Sequence, residues 1–423
     1  MDHPKNPIIV VGGGAAGILA AVRAGELGAN VVLLEKNQKL GIKILISGGG
    51  KCNITHAGDM QSIGASFVTS EERFLRRSFY RYTNLDILHL LSVEGVGTFA
   101  RPNGRVFPRS GRAGDVLGAL TRVLHRDRVD VRCDTPADDL FCEDGIITGV
   151  AARGKKIQSH HVVLATGGIS YSKTGTTGDG YAWAKKLGHS IVPLRPALAP
   201  IKVMPPFPAD WRGVALRDGE LSVYSDGKKI FSWADDVLIT HEGISGPATL
   251  EVSRAAALCH ETQRVNLRFD FLPSMGDQEV DNEIIGMTRQ HPDRQVATYA
   301  ERWLPNRIAP TVLRSAGIDS STKGYNLRKE DRRALVGLLK SWHIGRVDAI
   351  NIDRGEVTAG GVDLSEIDSK TMRSRKTTGL YICGEILDIA GPVGGYNLQA
   401  AFSTGYVAGE TAALDWLGQS RDA

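Results

Sequence analysis

The most constraining feature of this chain is a run of glycines held between two kinds of regular structure. Ile8–Val11 is a short apolar, β-branched segment, and it leads directly into Gly12-Gly13-Gly14-Ala15-Ala16-Gly17, a match to GxGxxG. Ile18–Leu27 follows as a helix-favouring stretch with small residues on one side, Gly28 is placed to cap it, and Asn30–Leu34 reads as a second buried strand. This is one βαβ unit. Gly12 permits the tight turn, Gly14 the close approach of a pyrophosphate and Gly17 the close packing of helix on strand, with the phosphates at the positive end of the helix. Glu35 ends the second strand, 18 residues past Gly17. A carboxylate there accepts hydrogen bonds from the hydroxyls of an adenosine ribose and repels a 2′-phosphate, which favours FAD or NAD over NADP.

Two later segments separate FAD from NAD. His161–Gly168 is a buried strand ending in Ala165-Thr166-Gly167-Gly168, and Gly379–Glu385 is a strand ending in Gly384-Glu385. A nicotinamide cofactor can be held within one compact Rossmann domain, whereas an extended FAD draws contacts from several distant strand ends at the switch-point crevice. Three strand ends spread over the whole chain therefore favour FAD. The composition agrees with a globular enzyme. At 423 residues, 42% apolar and 23% charged, the chain has room for two to three domains. Glycine is in excess at 49 residues while proline stays at 17, so the excess belongs to bare backbone rather than to linkers. The formal charge of +4 is too small to imply nucleic acid or a membrane by itself. The five cysteines are scattered without a CxxC pair, which suggests neither a disulfide framework nor a zinc site and fits a reducing cytoplasm. The N-terminal MDHPKNPIIVVGGG contains no secretory apolar core, and no run of about 18 apolar residues predicts a membrane span.

The order of motifs resembles a known family. It runs GGGAAG, then Gly41-Ile42-Lys43-Ile44-Leu45-Ile46-Ser47-Gly48-Gly49-Gly50-Lys51-Cys52-Asn53-Ile54-Thr55, Gly104-Arg105-Val106-Phe107-Pro108, ATGG, Thr240-His241-Glu242-Gly243-Ile244-Ser245-Gly246-Pro247 and Gly384-Glu385-Ile386-Leu387-Asp388. This is similar to the YhiN/BaiN-type bacterial flavoproteins, often labelled aminoacetone-oxidase-like oxidoreductases, from about residue 7 to 412. The resemblance implies an α/β fold: a Rossmann-like FAD-binding domain of the two-dinucleotide-binding-domain type, a β-rich middle domain and a small helical insert. We expect residues 1–190 and 355–423 in the FAD domain, 191–275 and 345–354 in the β-rich domain, and 276–344 in the insert. It leaves the substrate open, since similar proteins are associated with reduction of unsaturated bile-acid intermediates and with oxidation of aminoacetone.

The expected FAD contacts are Gly12, Gly14, Ala15, Ala16, Gly17, Glu35, Lys36, Lys43, Ser47, Gly48, Cys52, Asn53, Ala137, Ala165, Thr166, Gly167, Tyr171, Gly384, Glu385, Asp388, Gly395, Tyr396, Asn397 and Leu398. Three consecutive glycines in SGGGKCN mark positive φ or close backbone approach. This is not a P-loop, because Leu45 and Cys52 stand where that pattern needs glycine and Ser or Thr. Cys52 has no second cysteine nearby, so a packing role competes with a redox one. Tyr171 and Asp179 are candidate cofactor or substrate contacts, and Asp179 equally suits the cap of a helix over Tyr181–Leu187. Many similar flavoproteins have Gly-Asp where this chain has Gly384-Glu385, so the ribityl or pyrophosphate hydroxyl contact is divided between Glu385 and Asp388. Gly391–Ala400 is a glycine turn opening a small-residue helix through Glu410, whose free N–H groups would stabilise an anionic reduced flavin.

Short β-like runs fill Ile201–Met204, Glu220–Tyr224, Lys229–Trp233, Val237–Thr240 and Val265–Phe269. Helices are expected over Asp281–Gln290, Asp293–Leu304, Asn306–Ala316 and Lys329–Trp342, and strands again at Ala349–Arg354 and Val357–Val362. His241, followed by Glu242, is the candidate acid–base pair, because the resemblance sets this glycine-flanked loop near the substrate; a hydrogen-bonded structural histidine is the competing reading. Ser245 is no hydrolase nucleophile, since Pro247 replaces the glycine of GxSxG. No metal is expected. Arg105, Arg109 and Arg112 could anchor an anionic substrate or FAD, or simply form a solvated basic face. The sequence thus reads as an FAD-dependent oxidoreductase moving a hydride between flavin N5 and a small organic substrate, with NADH or NADPH as a transient donor. An amine oxidase using oxygen is the alternative. An RNA-binding flavoprotein is the third reading: residues 101–132 hold eight arginines against three acids, but only Phe107 as an aromatic, which disfavours nucleic acid. The sequence leaves the oligomeric state open.

Overall fold

The computed structural model describes residues 6–418; the outermost ends of the expected FAD domain and the first five residues of the N-terminal reading lie outside them. The chain divides into two units, Met1–Leu194 with Val357–Ala423, and Arg195–Glu356.

The first unit is built on β1 (Ile8–Val11), α1 (Ala15–Glu26), β2 (Val31–Leu34) and α2 (Ile42–Gly50). Its five-stranded sheet runs Leu380–Ile382, Val162–Leu164, β1, β2, Asp130–Arg132, and every pairing is parallel. The central strands are buried on both faces, which explains their unbroken Val, Ile and Leu content. α1 and the C-terminal helix Tyr396–Leu417 lie unusually close. A Cβ on Gly405 would stand 2.2 Å from the Ala16 carbonyl oxygen, and one on Gly409 2.1 Å from that of Ala20, so glycine at this four-residue spacing sets the contact. The unit also holds two small antiparallel sheets: Thr55–His56, Arg105–Pro108 and Thr98–Ala100, and Ala137–Glu143, Ile146–Ala152 and Lys155–Gln158.

The second unit is an eight-stranded antiparallel sheet with helices. Alternation is plain in Val265–Asp270, where Val265, Leu267 and Phe269 are buried and Arg268 is exposed. Val280, Ile284, Leu335 and Leu339 from the helices share one core with Val203, Leu267 and Phe269 from the sheet. Four sequence expectations shift here. The second and third expected helices shrink to Val296–Ala300 and Ala309–Ser315, with Pro305 between them and Pro310 in the first turn of the later one. The fourth stops at Lys340, since Trp342 opens the long strand Trp342–Ile350. The strand expected at 349–354 gives way at Asn351, whose side chain caps a tight turn by accepting from Asp353 N at 2.8 Å. Among the described residues, no helix is long and apolar enough to cross a membrane.

Candidate functional site

At the end of β1 the backbone must turn sharply, and Gly12 does so at φ +106°, where a Cβ would stand 2.5 Å from the Ala165 carbonyl oxygen. Gly17 is excluded from carrying a side chain by the Gly12 carbonyl oxygen, 1.8 Å from where its Cβ would be. Gly14 differs. It is the N-cap of α1, a Cβ there would meet nothing within 4 Å, no side chain caps the helix and no acid stands in its first turn. Ala15 and Ala16 keep this turn small and buried. The first turn of α1 therefore presents backbone N–H groups at a positive helix end with no side chain over Gly14. Glu35, buried at the end of β2, accepts from Gly13 N at 2.7 Å and from Asn37 N and Nδ2 at 2.8 and 2.7 Å. These donors orient a carboxylate beside the open helix end.

Lys36 bonds Thr177 Oγ1 at 2.5 Å and pairs with Asp179 at 2.8 Å, tying the end of β2 to the start of helix Asp179–Lys186. Partial burial alone would raise the Asp179 carboxyl, but Lys36 and Thr177 hold it below the usual range. Tyr171, in the same loop, is held at φ +52°, a costly conformation for a bulky residue. Ala165 is buried and Gly167 turns at φ +74°. Thr166 Oγ1 is buried among described atoms without a hydrogen-bond partner, a polar group awaiting one at the mouth of the sheet.

A second cluster gathers residues from four distant segments. Lys43 Nζ reaches Glu385 Oε2 at 2.6 Å, Glu385 Oε1 at 2.8 Å and Ser170 Oγ at 2.8 Å. Glu385 Oε1 also accepts from Thr358 N at 2.9 Å and Ser170 Oγ at 3.0 Å. The Thr358 hydroxyl accepts from Ile169 N and Ser170 N at 2.9 and 3.1 Å. Ser170 and Thr358 escaped the sequence reading. Their one signal was Gly168, where a Cβ would stand 2.3 Å from Thr358 Oγ1. Asp388 Oδ1 accepts from Gly360 N at 3.0 Å. Gly384, at φ +80°, donates to Thr404 Oγ1 at 3.0 Å and lies against the Ala16 methyl group.

The SGGG segment interrupts α2 rather than forming a free loop. Ser47 is extended, Gly48 and Gly49 take positive φ, and Ser47 Oγ donates to Ile44 O at 2.8 Å. Cys52 is fully buried at φ +57°, and burial, only partly offset by Ser47, pushes its thiol up to about 11. That is an inert packing thiol. The Asn53 amide, in the orientation that satisfies its neighbours, accepts from Gly395 N at 3.1 Å and donates to Thr55 O and Val106 O at 3.3 Å. Gly395 turns at φ +93° into the C-terminal helix, which has neither a capping side chain nor an acid in its first turn. Tyr396 stacks on His56 with ring centroids 4.9 Å apart. The Asn397 side chain clamps the preceding turn, accepting from Gly391 N and donating to Gly391 O, both at 2.8 Å. Leu398 packs on the core of the first unit. Ala137 pairs with Ala152 in the outer sheet, two residues past Thr135, whose N donates to Glu35 O at 2.9 Å.

His241 and Glu242 occupy the turn between Val237–Ile239 and Gly243–Ser245 in the second unit, closed by Thr240 N donating to Gly243 O at 2.8 Å. His241 Nε2 lies 3.8 Å from Glu242 Oε2, beyond a hydrogen bond. Glu242 forms a close ion pair with Arg354, which holds its carboxyl below the usual range. It is therefore ionised near neutral pH and unsuited to give up a proton.

An open helix end, a carboxylate at the close of β2 and an unpartnered threonine hydroxyl, all on one parallel sheet, are the features of a Rossmann-type dinucleotide fold. Residues 6–411 match the HI0933-like protein Rossmann domain, and the chain belongs to that family of FAD-dependent oxidoreductases. It is 32% identical over 414 residues to a 3-dehydro-bile acid Δ4,6-reductase of Clostridium scindens, covering 96% of this chain and 99% of the relative. It is 29% identical over 399 residues to a ribosomal RNA dihydrouridine synthase of Escherichia coli, covering 94% and 96%. In fold it is similar to the 3-ketosteroid Δ1-dehydrogenase of Sterolibacterium denitrificans, at TM-score 0.53 and 15% identity over 98% of this chain and 100% of that one.

Proposed function

We propose that the chain is an FAD-dependent reductase that saturates a carbon–carbon double bond conjugated to a carbonyl group. One observation carries this reading. Two relatives aligned along nearly their full lengths act, by their names, on a 3-oxo Δ4,6 steroid acid and on uridine. In both substrates the alkenes are conjugated with a carbonyl group, and reduction of each adds a hydride at the electron-poor carbon of the double bond and a proton at the other. Bound FAD supplies the hydride chemistry, with the two electrons drawn from NADH or NADPH as a visiting donor. In this reading the N-terminus of α1 at Gly14 holds the pyrophosphate, and Glu35 accepts from the adenosine ribose hydroxyls. Lys43, Ser170 and Glu385 form the polar wall beside the ring system, and Asp388 or Glu385 meets a ribityl hydroxyl. The N-terminus of the C-terminal helix offers its dipole to negative charge on the ring.

His241 is retained as the candidate proton donor, with Glu242 and Arg354 fixing its turn, and residues 276–344 as an insert within the second unit. The free thiols suit a reducing cytoplasm. The test is an anaerobic titration of the purified flavoprotein, first with NADH or NADPH and then with an α,β-unsaturated ketone. Bleaching of the flavin band by the nicotinamide and its return on adding the enone are expected. A band that ignores nicotinamides, is bleached by aminoacetone and returns only with oxygen would replace this reading with an amine oxidase. H241A should slow the return while leaving FAD content unchanged.

A further inference from the structure

The eight arginines between positions 101 and 132 do not form one basic stripe. Arg112 pairs with Asp115 at 3.2 Å, Arg122 and Arg126 with Glu94 at 3.1 and 3.0 Å, and Arg132 with Asp130 at 2.6 Å. Arg101, Arg105, Arg109 and Arg128 have no carboxylate within reach among the described residues, and the first three stand on one hairpin. Thr98–Ala100 pairs with Arg105–Pro108, and the turn closes with Arg101 N donating to Arg105 O at 2.9 Å. Arg101 and Arg105 therefore flank the tip. Arg109 stands at the base, where its N donates to Gly97 O at 2.8 Å and its stem lies over Gly97.

Aromatic surface accompanies the charge. The Arg101 guanidinium lies 4.2 Å over the Phe107 ring, and Phe99, 40% exposed, sits across the hairpin from Phe107 with centroids 6.3 Å apart. Phe99 lies just outside the 101–132 stretch, which is why the sequence alone showed one aromatic there. The hairpin also borders the glycine-rich turn. A Cβ on Gly48 would stand 3.2 Å from Phe107 Cε1, His56 is paired with Arg105, and His56 Nε2 meets Asn103 O at 3.2 Å. Through the His56–Tyr396 stack the same strands touch the start of the C-terminal helix.

We propose that this hairpin is an RNA-contact surface, with Arg101, Arg105 and Arg109 on phosphates and Phe99 as a stacking face for an unpaired base. The proposal rests on the conjugated-alkene reading, since a uracil ring is such an acceptor. A small anionic substrate needs one guanidinium. Three unpaired ones spread along a hairpin, with an exposed ring between them, match a polyanion that carries bases.

The test uses the FAD-loaded full chain and a fluorescent stem–loop RNA of about 20 nucleotides with uridines in its loop, titrated by anisotropy over a range of salt. R101Q/R105Q/R109Q is compared with R112Q/R122Q/R132Q, which removes equal charge from acid-paired positions. The hairpin variant should lose at least about ten-fold in affinity at low salt and flatten the log–log salt slope by about two, while the paired set stays within about three-fold. FAD content and melting temperature report folding, and R109Q alone should still lose a few-fold if the triple variant does not fold. Equal losses in both triple variants, or a wild-type protein that does not bind the RNA, would overturn the proposal. Enone-driven return of the flavin band is measured in parallel. RNA binding lost only in the hairpin variant, by a protein inert towards enones, would leave the surface standing and remove the reductase reading instead.

Discussion

Lys43 Nζ lies 2.6 Å from Glu385 Oε2, closing an ion pair between side chains 342 positions apart in sequence. Both side chains are mostly buried, and Ser170 and Thr358 supply further hydrogen bonds to the pair. Removing one partner of such a pair leaves a partly buried charge with too few donors. K43M should therefore cost roughly 1–3 kcal/mol of stability in the FAD-free protein and weaken FAD binding. E385Q, which still accepts from Thr358 N, should cost less, and K43M/E385Q should be no worse than K43M. Urea unfolding of the four proteins measures the coupling. Additive losses would show that the two side chains act independently.

Glu35 offers a separate test at the other end of the site. Its carboxylate is the acceptor for Gly13 N and for both Asn37 donors. E35A should leave those donors unsatisfied at about 1–2 kcal/mol and raise the FAD dissociation constant by at least about ten-fold. FAD content after gel filtration, followed by fluorescence titration of the apoprotein, gives both numbers. Unchanged FAD content would remove Glu35 from the cofactor site.

The contrast between these two pairs of residues shows what the sequence could disclose. The β1–α1–β2 unit was legible because each glycine answers a local demand: a turn at Gly12, open space at Gly14, a carbonyl oxygen against Gly17. The Lys43–Ser170–Thr358–Glu385 cluster was only half legible, because no periodicity links segments that meet by sheet order alone. Asn53 and Asn397 lie at the expected loops, yet their amides hold backbone together. Counting arginines could not show which ones Glu94, Asp115 and Asp130 neutralise. Pro305 and Pro310, by contrast, were visible and already marked the break between two helices of the insert and the start of the later one.

Thiol chemistry should divide the five cysteines. Cys52 and Cys383 are fully buried, and burial pushes both thiols up, Cys52 to about 11. Cys133, Cys142 and Cys259 are partly exposed. In the native protein at pH 8, Ellman's reagent should react with three thiols, and with the remaining two only on unfolding. A fast fourth thiol that disappears in C52S would make Cys52 a redox candidate again.

His189 makes stability depend on pH. Its fully buried ring lies between Glu366, 3.1 Å from Nδ1, and Ser374, 2.8 Å from Nε2. Ser374 Oγ already accepts from Lys376 N and Thr377 N at 3.0 and 2.9 Å, so its own proton points at Nε2. The ring is thus neutral, with its proton on Nδ1 facing Glu366. Burial holds the imidazole below its ordinary pKa, aided by the nearby Lys376 and opposed by Glu366. The unfolded chain takes up this proton near 6.5 and the folded one resists it, so the unfolded state gains as pH falls. The stabilisation is complete above about 6.5 and is lost as pH drops through the folded value. Glu366 titrates in a separate window. Burial raises its carboxyl, bonds from Ser190 and the charge of Lys376 outweigh that, and the net lowering adds a loss only below about 4.3. Urea unfolding between pH 8 and 5 should show stability falling below about 6.5 in the wild type. H189Q should flatten that limb, and an unchanged slope in the variant would assign the pH dependence to other groups.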